Sequence, residues 1–247
     1  MKFLLDKDGV SLNSEFIESI YAARVYDTTH IDETHGAEMT KFFHVGAELS
    51  YDAPDRILKE FNSDDEAANF KAAKKYFNEV VDFLAEDIDF IFNESGRSVI
   101  NIKFVRKLNI EQFFSEDREF TQVLAAMPDD WDGEGIVLKE FNEEADEIFL
   151  DAKDYLAELV KTLNAKKINF VISADEESAV NLAFVKNLVT AQSLKDESVA
   201  VLAEFIDKDE EFILKEFDSD DVEKNFQAAQ IYLEELAKYI NIEENRF

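Results

Sequence analysis

The stretch ILKEFNSDDEAANFKAAKKYFNEVVDFL, residues 57–84, returns as VLKEFNEEADEIFLDAKDYLAELVKTL from Val137 and as ILKEFDSDDVEKNFQAAQIYLEELAKYI from Ile213. In the first copy Phe70, Ala73, Phe77, Val80 and Leu84 fall at steps of three and four. Phe149, Ala152, Leu156, Leu159 and Leu163 repeat the stripe, as do Phe226, Ala229, Leu233, Leu236 and Ile240. That spacing predicts three amphipathic helices, each burying one face. Ser63 and Glu66 have capping-box spacing, and Asp64, Asp65, Asp220 and Asp221 stand where a helix dipole favours anions. A structural role therefore competes with a binding role for the SDD words.

The similarity extends upstream. Leu58, Leu138 and Leu214 align at spacings of 80 and 76 residues. SVINIKFVRKL from Ser98 matches SAVNLAFVKNL from Ser178, and VLAAM from Val123 matches VLAEF from Val201. FILKEF and VLAEFID alternate as strands around the acidic turn KDEE, VNLAFVKNLVTAQSL reads as one further strand region, and KFLL, DFIFN and NFVIS add an opening strand each. The expected fold is α+β. Three tandem repeats at 1–88, 89–166 and 167–247 each form an antiparallel β-meander of about four strands against one C-terminal amphipathic helix.

This order of strand, acidic turn, ILKEF, SDD and amphipathic helix resembles small, uncharacterised β-meander-plus-helix repeat modules of bacterial and phage proteins. The resemblance covers most of the second and third repeats and the second half of the first. It implies a fold and a mobile-element setting, and no activity.

Composition narrows the function classes. A chain of 247 residues with 46% hydrophobic content and 23 Phe can bury a substantial core. Without cysteine it has no disulfide framework, thiolate metal site or cysteine nucleophile. MKFLLDKDGV has too short an apolar run for a signal peptide, and no stretch reaches the roughly 18 apolar residues of a membrane span. The expectation is a cytoplasmic protein that does not engage a membrane. With 56 acidic and 26 basic residues, the net charge of −30 disfavours direct nucleic-acid binding. It is spread as −10, −9 and −11 over the three repeats. Duplex DNA carries one charge per roughly 1.7 Å of axis, so thirty charges match about 50 Å of DNA, close to the expected width of such a chain.

The repeats differ in their turns. The first carries an insertion, DTTHIDETHGAE at 27–38, that places His30 and His35 beside Asp32, Glu33 and Glu38, with His44 downstream. Imidazole with carboxylate suits zinc, although the spacing is no established zinc signature and HExxH is absent. The second carries MPDDWDGEG at 127–135, where Asp129, Asp130, Asp132 and Glu134 surround Trp131, the one tryptophan and a residue type that binding hot spots favour. DKDG at Asp6 and the acidic turn with Asp207, Asp209 and Glu210 fail the EF-hand ligand series. No GxxxxGK[ST], GxGxxG or GxSxG occurs.

The reading is a non-enzymatic protein without a cofactor. It is an acidic mimic of nucleic acid that binds the basic groove of a defence nuclease, in the manner of anti-CRISPR or anti-restriction inhibitors. Its expected partner-binding residues are the acids of the turns and SDD words together with Trp131. The alternatives are a protein-interaction scaffold of tandem repeats and, behind it, a metal-binding protein with His30, His35 and His44 as ligands.

Overall fold

Each ILKEF word is a strand that bends at its leucine. The computed structural model describes residues 2–27, 40–50, 53–115, 118–127, 135–142, 145–193, 198–206 and 211–240. In chain order the elements begin with β1 (Phe3–Leu5), β2 (Ser11–Asn13), β3 (Ile17–Asp27), β4 (Thr40–Leu49), β5 (Arg56–Phe61) and α1 (Glu66–Leu84). There follow β6 (Phe90–Phe92), β7 (Ser98–Asn101), β8 (Lys107–Ser115), β9 (Arg118–Ala126), β10 (Ile136–Phe141) and α2 (Ala145–Ala165). The last are β11 (Phe170–Ile172), β12 (Ser178–Asn181), β13 (Val185–Gln192), β14 (Val199–Phe205), β15 (Glu211–Phe217) and α3 (Val222–Ile240). The fold is α+β, with antiparallel sheets and three helices.

The chain divides into two compact units, 1–104 and 105–247. In the first, β1 and β2 form a two-stranded hairpin, and the main sheet runs β5-β4-β3-β7-β6. Ile17, Ile20, Val45, Ala47 and Leu58 from this sheet meet Ala73, Phe77, Val81 and Leu84 of α1 in one buried core. In the second unit a five-stranded sheet, β10-β9-β8-β12-β11, carries α2, and a three-stranded sheet, β13-β14-β15, carries α3.

Two sequence expectations need correction. About four strands per repeat is one too few, because VNLAFVKNLVTAQSL is two strands with a 3-10 turn, Leu182–Phe184, between them. The Asn181 side chain accepts the Ala183 N–H at 3.1 Å and so turns the chain there. Asn13 and Asn101 begin the 3-10 turns Ser14–Phe16 and Ile102–Phe104 in the same way, accepting from Glu15 N and Lys103 N at 3.1 Å. The hairpins so separated pair outward: β7 lies against β3, and β12 lies against β8. A hairpin written at the start of one stretch of sequence thus completes the sheet of the stretch before it.

The second correction concerns the helix starts. Phe70 and Phe226 are 39% and 40% exposed, whereas Asn69 and Asn225, one residue earlier, are 4% and 2% exposed. Ser63 does not cap α1; Asp65 does, accepting the Ala68 N–H at 3.0 Å. Ser63 is bound instead by Asn69, whose Oδ1 accepts from Ser63 N and Oγ at 3.1 and 2.6 Å and whose Nδ2 donates to Ser63 O at 2.7 Å. Asn225 binds Ser219 through the same three groups. A buried amide is stable here because each polar end is paired. In the second copy Ile148 takes the corresponding place and is buried as an apolar residue.

The bulge explains the repeated word. Val45 pairs with Lys59 and Gly46 with Ile57, so Leu58 is the extra residue; Leu138 and Leu214 are extra in their strands by the same register shift. A bulge lets two successive side chains serve one face. Leu58, Leu138 and Leu214 are buried, while Lys59 lies 5.5 Å from the Phe61 ring centroid and 5.0 Å from that of Tyr76 on α1. Lys215 lies 5.5 and 5.0 Å from Phe217 and Tyr232, and Lys139 lies 5.8 Å from Phe141. These cation–π contacts and the Phe–Tyr pairs join strand to helix.

Asn69→Ala leaves the Ser63 hydroxyl and backbone without their buried partner. We expect a loss of about 2 kcal/mol, seen as a lower urea midpoint for the unit that contains it, with the Asp65 cap intact.

Candidate functional site

Most of the residues expected to bind a partner lie outside the described residues: Asp32, Glu33, Asp129, Asp130, Trp131, Asp132, Glu134, Asp207, Asp209 and Glu210, and with them His30 and His35. Those that are described stand at helix starts. Asp64 and Asp220 are exposed, and Asp65 and Asp221 are N-caps. Asp221 also forms an ion pair with Lys224 at 3.0 Å, and the Lys224 side chain, followed by its N–H, holds the carboxyl below its ordinary value. DKDG at Asp6 is a hairpin turn: the Asp6 carboxylate accepts from Asp8 N and Val10 N at 2.9 and 2.7 Å. Gly9 takes the left-handed conformation, φ +82°, that this turn needs.

Around these turns the helices carry acids outward. Asp151, Asp154 and Glu158 are exposed at steps of three and four on α2, as are Glu79 and Asp82 on α1. Side chains so spaced stand about 5–6 Å apart. Several cations lie over rings of the fold itself: besides the ILKEF lysines, Arg106 is 5.0 Å from the Phe205 centroid and Lys107 is 4.2 Å from that of Phe212. A lysine that covers a ring is less free to neutralise a distant carboxylate.

Among the described residues no group of three or more His, Asp and Glu, His44 included, is placed to hold an ion. His44 sits in β4 between Ala23 of β3 and Glu60 of β5, edge-on to Tyr21 with ring centroids 5.7 Å apart. The Tyr21 ring also lies over Gly46, where a Cβ would come within 2.5 Å of it, so a larger residue there would force the ring to shift. Tyr21 donates to Asp55 at 3.1 Å. Burial, reinforced by Asp55, pushes its hydroxyl well above the ordinary range. Both His44 ring nitrogens are buried without a hydrogen-bond partner. Burial lowers the imidazole pKa; Lys7 lowers it further, and Glu60 and Asp55 oppose.

Sequence reasoning missed one cationic recess in the first unit. Arg24, Lys74 and Arg97 line a cavity of about 220 Å³ floored by Phe43, Phe70 and Phe77. Arg24 pairs with Glu66, and the Arg97 guanidinium lies 5.6 Å from the Phe70 centroid. The exposed Phe70 is therefore a wall of this recess, whose chemistry suits a small anionic group. In the second unit Lys153 of α2 instead donates to Asp175 O at 2.7 Å and lies 3.8 Å from Glu177. The three cations are far apart in sequence, so only the sheet and helix bring them together.

No family model, curated protein or solved structure matches this chain. Among the described residues no helix is long and apolar enough to cross a membrane.

His44→Phe supplies a ring of similar shape without nitrogens to leave unpaired. We expect it to raise the melting temperature at neutral pH, since an unpaired buried polar group costs about 1–3 kcal/mol. The unfolded chain binds the imidazole proton more tightly than the folded one. Stability from neutral His44 is therefore full above about pH 6.5 and is lost as pH falls through the lowered folded-state value. Melting temperatures from about pH 7 to about pH 5 should decline less steeply in His44→Phe than in the parent.

Proposed function

We propose that this chain is a non-catalytic binding protein, built of three tandem copies of one β-meander-plus-helix module, that occupies the basic nucleic-acid groove of a nuclease of the CRISPR or restriction type. The observation that carries the reading is the placing of charge. Acids stand outward at successive turns of α1 and α2, while lysines of the ILKEF strands lie over aromatic rings. These outward acids contribute to a net charge of −30 on 247 residues. Carboxylates 5–6 Å apart resemble a phosphate chain to a groove lined with lysine and arginine. Opposite charge also steers the encounter and speeds association.

A second reading is supported by the hairpins that complete neighbouring sheets. Such linkage builds an interaction scaffold whose loops carry recognition, with contacts that are apolar and weakly salt-dependent.

The two readings separate in a competition experiment. The protein is titrated into a panel of CRISPR and restriction nucleases, with and without duplex DNA, at low and moderate salt. Mimicry predicts binding that DNA displaces and that weakens steeply as salt rises. It further predicts that Asp151→Asn with Asp154→Asn weakens binding several-fold at low salt and less at high salt. Binding that ignores both DNA and salt would favour the scaffold, and no binding to any nuclease at moderate salt sinks the mimic.

A further inference from the structure

We propose that copies of this chain associate head to tail, the β1–β2 hairpin of one copy adding to the free edge of β13 in the next. The structure contains the template for this joint twice. Hairpin β6–β7 adds to β3, pairing Ser19 with Ile100, Ile20 with Val99 and Tyr21 with Ser98. Hairpin β11–β12 adds to β8, pairing Lys107 with Val180, Leu108 with Ala179 and Asn109 with Ser178. Each joint is locked by a buried asparagine at the hairpin's end: Asn101 Nδ2 donates to Ile17 O and Asn181 Nδ2 donates to Val105 O, both at 2.9 Å.

Both halves of a third joint are present, and among the described residues nothing joins them. Among the described residues the sheet β13-β14-β15 ends at β13, and β2 pairs with no strand but β1. The hairpin rests on its own unit through Leu12 in the core and through the Lys7 N–H, which donates to Ile57 O at 2.9 Å. Val185 follows the 3-10 turn Leu182–Phe184 as Ile17 and Val105 follow theirs, so its carbonyl is the matching acceptor. Asn13 closes β2 as Asn101 and Asn181 close β7 and β12; its Oδ1 accepts from Glu15 N, and its Nδ2 has no acceptor among the described residues.

Burial follows the same division. Ile20 and Leu108 are fully buried, whereas Leu188, which pairs with Ala203 as they pair with Ala47 and Ala125, is only half-buried. On the donor side Phe3 is 55% exposed, whereas Phe170, its counterpart opposite the hairpin asparagine, is 2% exposed. A strand edge and a hairpin edge that each lack a strand partner among the described residues are a template for strand addition. The occupant is a second copy because this hairpin carries the asparagine that fits this edge. The joint is heterologous, so it either closes a ring or continues as a chain.

Each copy carries −30, so repulsion opposes the joint and salt relieves it. This dependence is opposite in sign to that expected for groove binding, so either idea can fail alone. The test is sedimentation velocity on the full chain at rising concentration, at low salt and at about 0.5 M salt, where the Debye length is about 4 Å. The expected result is growth beyond the 28.4 kDa monomer at the higher salt. Thr190 holds the place of Ala22 and Ile110, whose N–H groups donate at 2.8 Å to Arg97 O and Glu177 O of the added hairpins. Thr190→Pro removes that donor from the edge while leaving the β14 side of the strand paired. It should abolish self-association and, mixed with the parent, shorten its assemblies. Asn13→Ala, altered on the opposite partner, should weaken association several-fold with unchanged circular dichroism. A parent that stays at monomer mass throughout, or a folded Thr190→Pro that associates as the parent does, overturns the proposal.

Discussion

The architecture depends on an asparagine at the end of a hairpin. Asn101 and Asn181 are 3% and 2% exposed, and each uses both ends of its amide. Oδ1 starts the 3-10 turn that separates hairpin from meander, and Nδ2 ties the hairpin to a carbonyl of the preceding sheet. A buried amide with one end unpaired is costly, so forming the turn and joining the sheets become a single event. Each hairpin completes an earlier sheet, and the meander after it receives the next hairpin. The first hairpin and the last edge stand outside that succession.

Below this linkage, each meander is held to its helix by the bulged strand. Leu58, Leu138 and Leu214 enter the core, and the lysine beside each turns onto an aromatic ring of its strand, joined for Lys59 and Lys215 by a tyrosine of the helix. A regular strand would send the leucine and lysine to opposite faces. The bulge makes them neighbours, which is why the word recurs while the acidic turns around it vary. The helix beyond is anchored by Asn69 and Asn225 in two copies and by Ile148 in the other, two chemically different ways of filling one buried place.

Charge and fold act together. The described lysines of the ILKEF strands serve packing, and the acids on the outer turns of the helices point to solvent. The chain is anionic because its 56 acids outnumber its 26 basic residues, and the ILKEF lysines keep their charge while they pack on rings. The cationic recess of Arg24, Lys74 and Arg97 is a local exception, made by three separate elements around a phenylalanine floor.

By itself the sequence determined the class of the fold, the three helices and the recurrence of the strand words, because periods of 3.6 and 2 are local properties of the chain. It also set the net charge and its even spread. It did not reveal Asn69 and Asn225 as core residues, since a polar side chain next to an apolar phenylalanine is passed over by any hydrophobic pattern. Nor did it place His44, which lies edge-on to Tyr21 and pairs with Ala23 and Glu60 on neighbouring strands. Only the tertiary structure decided which sheet each hairpin joins. Strand pairing is set by backbone groups and by carbonyls far away in the sequence, such as Ile17 and Val105, which carry no signature in the residue that meets them.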